Sequence, residues 1–171
     1  KEWFDRFPFF EFLRTIKTVK YQKKNLINSI ITSFDIETTR IDDLSFCYIW
    51  QFNIFMNGIH HIILDRKLSN NMKVFEKLEV ATSTKDKALL ICGIQNLGYE
   101  FQFCKNLIEW TNVFAKEQRQ PITATANGMY FIDTYQISHK ALAKLGKEVG
   151  VRKLTEKLDY SVIRTSNTPM S

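Results

Sequence analysis

The fold of this 171-residue chain is decided by residues 30–39, which read IITSFDIETT. β-Branched and aromatic residues dominate this stretch and predict a strand, which we place at about residues 29–35. Side chains alternate along a strand, so Asp35 and Glu37 are expected on one face, while Phe34 and Ile36 enter the core.

Two carboxylates this close repel each other unless a cation neutralises them. Oxygen ligands of this kind suit Mg²⁺ and Mn²⁺. The pair therefore suggests metal-assisted phosphodiester chemistry. A solvated strand end followed by a turn would have the same sequence, and a pattern this short does not separate the two interpretations.

Composition predicts one globular domain that is long enough to bury a core. The formal net charge of +6 favours polyanions such as nucleic acid, although solubility alone would explain it equally well. Three scattered cysteines, with no Cys-x-x-Cys pair, argue against a disulfide framework. The sequence shows no secretory signal and no apolar run of bilayer length, so we expect a cytoplasmic protein without membrane contact. If a phage encodes it, the compartment is the cytoplasm of the host.

The periodicity predicts an α/β fold with a mixed sheet flanked by helices. Asn-Gly pairs at 57–58 and 127–128 predict hairpin turns. Residues 1–28 are interpreted as an aromatic and basic arm, and residues 29–171 as one domain that looks incomplete at its C-terminus. Further strands are expected at about 46–56, 59–64, 88–94, 111–115, 122–126 and 129–134, and helices at about 8–20, 69–80, from 98 onward, and 139–149.

A third carboxylate, Glu100, is predicted at the start of the helix that follows the buried strand. Ligands bind open α/β sheets beyond the carboxyl ends of the strands, and a helix N-terminus favours negative charge. If the buried strand neighbours the first strand, Glu100 faces Asp35 and Glu37. Two metal ions held there would activate a water and stabilise the leaving oxygen.

Five other polar residues are interpreted as structural, solvated or not metal-binding. Asp133 ends a strand and is expected to cap the next helix. Asp42 and Asp43 lie in a predicted loop. His60 and His61 are adjacent on a strand and face opposite sides, so we expect neither to bind a metal.

The two acidic stretches, in this order and spacing, resemble motifs of the 3′–5′ proofreading exonuclease domain of family B DNA polymerases. The likeness is to phage-type enzymes, which include protein-primed ones. Residues 33–39, SFDIETT, are similar to the first motif, Asp-x-Glu-Thr. Residues 95–101, QNLGYEF, are similar to the second, with Glu100 in place of the usual Asp. Residues 141–145, ALAKL, are similar to a later Ser-Leu-Ala-Lys-Leu-like pattern.

This resemblance implies a domain with a ribonuclease-H-like fold. Such a domain would hydrolyse the 3′-terminal nucleotide of single-stranded DNA with two Mg²⁺ or Mn²⁺ ions. The catalytic and metal-binding residues it implies are Asp35, Glu37 and Glu100. Those contacting the primer strand are Asn96, Tyr99 and Thr38.

The third motif of the family, Tyr-x-x-x-Asp, is not reached before Ser171, so the chain is expected to be truncated and weak or silent as an enzyme. The missing polymerase portion, or another protein, would then be a partner. The alternative is a catalytically silent phage protein that reuses the fold to bind nucleic acid or to inhibit a protein partner.

Overall fold

The computed structural model describes residues 18–21, 25–56, 58–70, 73, 76, 89–126, 128–152, 159, 161–165 and 167–168. The strands are β1 (Thr18–Tyr21), β2 (Asn25–Ile41), β3 (Leu44–Met56), β4 (Ile59–Asp65), β5 (Leu89–Ile94), β6 (Asn112–Glu117), β7 (Gln120–Ala126) and β8 (Met129–Asp133). The helices are α1 (Leu97–Cys104), α2 (Thr134–Ser138) and α3 (Leu142–Glu148). Residues 68–70, 73 and 76 are also helical, as predicted, and the other residues of that predicted helix lie outside the described part.

The strands form one eight-stranded sheet in the order β4-β3-β2-β5-β8-β7-β6, and β1 pairs with the start of β2. The central pairs β2–β5 and β5–β8 are parallel, and the other pairs are antiparallel. The predicted mixed α/β sheet is therefore confirmed. The carboxyl ends of β2, β5 and β8 point the same way, which is where such sheets carry their sites.

The first predicted strand is longer than expected at both ends. Beyond Glu37, β2 continues as one arm of a hairpin with β3, and Asp42 and Asp43 turn the chain with φ of 48° and 63°. The two carboxylates thus lie within the strand rather than at its end. Residues 18–21 and 25–28, assigned to the arm, are strand because β1 and β2 pair there. The helix predicted at 8–20 is therefore wrong at 18–20, and residues 1–17 and 22–24 lie outside the described residues.

The helix predicted at 139–149 begins later than expected, as α3, and a short helix that was not predicted, α2, precedes it. His139 takes a left-handed conformation with φ of 51°, which ends α2, and α3 begins only after Ala141. Ser138, the last residue of α2, donates its hydroxyl to the carbonyl of Thr134. The predicted end of α3 is confirmed, because Gly150 follows it with φ of 76°.

The core lies between the sheet and α1. Phe34 contacts Trp50 at a ring-centroid distance of 6.1 Å and meets Phe131 edge-on at 6.4 Å. Leu97 anchors α1 in this core.

Burial raises the pKa of all three thiols, Cys47, Cys92 and Cys104, to about 12, so they stay protonated. In the described part of the chain, none of the helices has the length and apolar character needed to cross a bilayer.

Candidate functional site

The acidic pair lies on β2 with the predicted alternation. Phe34 and Ile36 are buried, Asp35 is exposed and Glu37 is half-buried. Burial raises the pKa of Glu37, and the neighbouring Asp35 carboxylate raises it further, while Arg164 opposes the rise. The two carboxylates therefore repel each other as expected, and one cation of the chain already lies near them.

A β-bulge interrupts the β2–β3 ladder directly after Glu37. Glu37 pairs with Ile49 and Thr38 pairs with Cys47, so Tyr48 is an extra residue on β3. Its carbonyl accepts a hydrogen bond from Nη1 of Arg66 at 3.2 Å, and the Arg66 guanidinium lies 5.6 Å from the centre of the Tyr48 ring. Bulges bend a strand and re-aim its side chains, and they recur beside active sites.

Helix α1 carries the second cluster beyond the carboxyl end of β5. Asn96, the residue before the helix, has φ of 69° and ψ of 57°, and its exposed side chain does not cap the helix. Tyr99 is 41% exposed, with its ring edge-on to Phe103 at 5.2 Å. Glu100, by contrast, is only 5% exposed. Asn96 and Tyr99 can meet a ligand, while Glu100 faces inward.

The two clusters meet at a side-chain contact. Oγ1 of Thr38 and Oη of Tyr99 lie 2.8 Å apart, within hydrogen-bond distance. The parallel pairing of β2 with β5, in which Ser33 lies opposite Gly93, sets up this meeting. Glu100 was expected to face Asp35 and Glu37 if the strand before its helix neighboured the first predicted strand. That condition is met, because β5 pairs with β2.

Glu100 is the most perturbed carboxyl of this site. Burial raises its pKa to about 7; a hydrogen bond from its own backbone N–H opposes the rise, and the charges of Asp35 and Asp133 add to it. Its Oε2 is buried and accepts no hydrogen bond from any described residue. A buried carboxylate oxygen without a donor suits a cation, because a positive charge would satisfy it.

The structure does not assemble these carboxylates into a finished metal cage. Across the described ranges, no group of three or more His, Cys, Asp or Glu side chains is arranged to hold a metal ion. The metal-ligand roles of Asp35, Glu37 and Glu100 therefore stay predictions.

Residues that the sequence analysis interpreted as structural or solvated lie at a helix cap, at an exposed turn and in a side-chain contact between strands. Asp133 accepts the backbone N–H of Tyr135 at 2.8 Å and so caps α2, as predicted. Asp43 lies at an exposed turn, where it pairs with Arg40 at 2.7 Å. The imidazole Nδ1 of His60 lies 3.3 Å from the Asn53 side chain.

Two features of the site were missed in the sequence. Asp133 also accepts the backbone N–H of Asn96 at 3.1 Å, a contact across 37 residues. A C-terminal segment, residues 161–165 with 167 and 168, lies against the strands: the Arg164 N–H donates to Oγ1 of Thr39 at 3.2 Å. Arg66 holds the same segment through the carbonyls of Thr165, at 3.5 Å, and Thr168. Local sequence patterns do not predict contacts between residues this far apart in the chain.

The fold and site together define an α/β sheet domain with two carboxylates on a central strand, β2, and a third on α1, the helix that follows the neighbouring parallel strand β5. No protein-family model and no curated protein matches the sequence. Solved structures of Phi29 DNA polymerase do match the fold. The ternary complex with primer-template DNA and incoming nucleotides superimposes with a TM-score of 0.62 at 14% identity, over 83% of this chain.

Two further Phi29 polymerase structures agree. The orthorhombic crystal form gives a TM-score of 0.64 and the complex with single-stranded DNA gives 0.60, each at 13% identity over 83% of this chain. The match spans 27% of the polymerase chain in each of these structures. At this identity the likeness shows the fold, which is that of one region of a phage DNA polymerase.

Proposed function

We propose that this chain is a polymerase-related 3′–5′ exonuclease domain that hydrolyses the 3′-terminal nucleotide of single-stranded DNA. The observation that carries the proposal is the contact between Thr38 and Tyr99, which joins the Asp35–Glu37 strand to the Asn96–Glu100 helix in one place. The fold shared with Phi29 DNA polymerase supports it.

In this proposal Asp35, Glu37 and Glu100 hold Mg²⁺ or Mn²⁺. The unpartnered Oε2 of Glu100 and the raised pKa of both glutamates fit a site that is completed by cations. Bound divalent ions supply an activated water and stabilise charge on a leaving oxygen.

The remaining residues bind and orient the nucleic acid. The exposed Tyr99 ring offers a face on which a base can stack, and its bond to Thr38 restricts how the ring can turn. Asn96 offers an amide that its helix does not use. The net charge of +6 favours a polyanionic substrate.

Digestion of a 3′-labelled single-stranded oligonucleotide tests the proposal. The wild-type chain is compared with D35N and with D43N, which neutralises a carboxylate at the far end of the β2–β3 hairpin and keeps a residue that tolerates the left-handed backbone there. We expect Mg²⁺- or Mn²⁺-dependent activity, a loss of at least about 100-fold in D35N, and D43N within about twofold of wild type.

Two results would count against the proposal. Equal activity in wild type and D35N would place the reaction elsewhere. No activity in the wild type with either metal would reject the exonuclease and leave the silent binding or inhibitory protein as the better account.

A further inference from the structure

Asp133 is a buried carboxylate at the carboxyl end of β8. It lies opposite Ile94, the last residue of β5, and is 3% exposed. A single oxygen, Oδ1, accepts two backbone N–H groups, from Tyr135 at 2.8 Å and from Asn96 at 3.1 Å. The first bond is an ordinary helix cap. The second bond is to a different part of the chain, and the capping of α2 does not require it.

Asn96 has an uncommon left-handed backbone conformation, with φ of 69°. A non-glycine residue with positive φ is uncommon, and Asn tolerates it better than most. The N–H that Asp133 accepts belongs to the peptide that enters this conformation. That peptide decides where the chain turns from β5 into α1, only two residues after the strand ends.

The residue before Asn96 is held by the same part of the chain. Oγ1 of Thr134 lies 2.7 Å from Oε1 of Gln95 and 3.1 Å from the carbonyl oxygen of Ile94. Nε2 of Gln95 donates to the carbonyl of Lys140 at 3.2 Å. Residues 133–140 therefore fix the turn at several points, and Asp133 supplies the bond to Asn96 itself.

We propose that Asp133 is a positioning residue for nucleic-acid binding: by holding the Asn96 peptide, it fixes the directions in which Asn96 and Tyr99 meet the strand. The inference rests on the proposed function and deepens it, since it assigns the binding geometry of those two side chains to a residue that touches no substrate. The interaction it needs is acceptance of two N–H groups by one oxygen, and a neutral amide oxygen can do the same.

Affinity for a fluorescent single-stranded oligothymidylate, measured with Ca²⁺ in place of Mg²⁺, tests the inference. D133A leaves two N–H groups without their acceptor, and D133N keeps an oxygen in place. We expect D133A to weaken binding about tenfold or more and D133N to stay within about threefold of wild type. The matched control is D65A, which removes a carboxylate that accepts a local backbone N–H, from Lys67 at 2.8 Å, and should leave affinity within about twofold.

A double-mutant comparison separates positioning from general loss of structure. In the N96A/Y99A background the side chains that Asp133 is proposed to orient are gone, so adding D133A should change affinity by less than about twofold. A merely destabilising substitution would weaken binding by the same factor in both backgrounds. Circular dichroism at the assay temperature confirms that each variant is folded.

The outcomes are distinguishable. If wild type binds and D133A binds equally well, or if D133N is as weak as D133A, the positioning role is wrong. An undiminished effect of D133A in the N96A/Y99A background overturns it as well. If the wild-type chain itself does not bind the oligonucleotide, the proposed function fails, and this inference fails with it.

Discussion

Thr38 and Tyr99, 61 residues apart in the chain, place their hydroxyl oxygens 2.8 Å from each other. One belongs to the central strand β2 and the other to helix α1, and both are at least partly open to solvent. An exposed hydrogen bond adds little to stability, because water competes for both partners. Its consequence is geometric: it links the strand that bears Asp35 and Glu37 to the exposed aromatic ring beside them.

The first prediction concerns this bond. T38V and Y99F each remove it and keep the size of the side chain. Each should lower kcat/KM on single-stranded DNA about three- to tenfold, with unfolding free energy changed by less than about 1 kcal/mol. The double variant should resemble either single variant, since the two hydroxyls act as one unit. Fully additive losses in the cycle would show that the hydroxyls act independently.

The second prediction concerns pH and Glu100. Its pKa is about 7 in the folded chain against an ordinary value of 4.5. The contribution of Glu100 to stability is therefore most favourable below pH 4.5 and is lost as the pH rises from 4.5 through 7, because ionising the buried carboxyl opposes folding. In EDTA at pH 8, E100Q should be more stable than wild type by on the order of 2 kcal/mol, and the difference should nearly vanish at pH 4.

Urea unfolding of both proteins at the two pH values measures this effect. E117Q, which neutralises an exposed glutamate on β6, controls for the loss of a charge. A gain for E100Q that is equal at pH 4 and pH 8 would mean that packing, and not ionisation, distinguishes the variants.

The third prediction concerns Arg66, which bonds the carbonyls of Tyr48, Thr165 and Thr168. A lysine cannot reproduce the planar fork of donors that reaches several carbonyls. R66K should therefore destabilise the chain by about 1.5–3 kcal/mol. R40K, which alters an exposed ion pair, should change stability by less than about 1 kcal/mol.

Urea unfolding gives both values, and limited proteolysis shows where R66K opens. Cleavage should increase first within the C-terminal segment. Increased cleavage in β5 or α1 instead would contradict a local role for Arg66.

The fourth prediction concerns Gly98 in the first turn of α1. A Cβ there would lie 3.0 Å from the carbonyl oxygen of Arg119, which is backbone and cannot rotate away. Alanine improves helix propensity by up to about 1 kcal/mol, but overpacking costs about 1–3 kcal/mol. G98A should thus be net destabilising by about 1 kcal/mol in thermal or urea unfolding. A stabilised G98A would show that α1 can shift away from the β6–β7 turn without penalty.

The sequence predicts those parts of the site that depend on local chemistry. Period-two alternation placed Asp35 and Glu37 on one face, and the strand-to-helix change placed Glu100 at the start of α1. The extension of β2 to Ile41 escaped prediction because residues 38–41 are polar or charged in part and become strand only through pairing with β3. The end of the short helix α2 at His139 escaped prediction because nothing in a histidine requires a left-handed backbone.

The contacts of Asp133 with Asn96, of Arg66 with Thr168 and of Arg164 with Thr39 could not be predicted for a different reason. They join residues 37 to 125 positions apart, and each donates to or accepts from a group whose availability depends on the tertiary fold. The carbonyl of Tyr48 is available to Arg66 because a register shift beside Glu37 leaves that residue out of the ladder.

From the bulge at Tyr48 we expect a particular order of events in folding. Arg66 can bridge Tyr48 to Thr165 and Thr168 only after β2, β3 and β4 have paired, and the bond to Thr168 closes a separation of 102 residues. Contacts of such range form late, because the entropy of closing the loop is lost before they contribute. The C-terminal segment should then be the last element to dock and the first to detach, as a separate unit in native-state hydrogen exchange. Arg164 would lie near Glu37 only in the fully folded chain. The pKa of Glu37, which Arg164 lowers, would therefore show whether the C-terminal segment has docked.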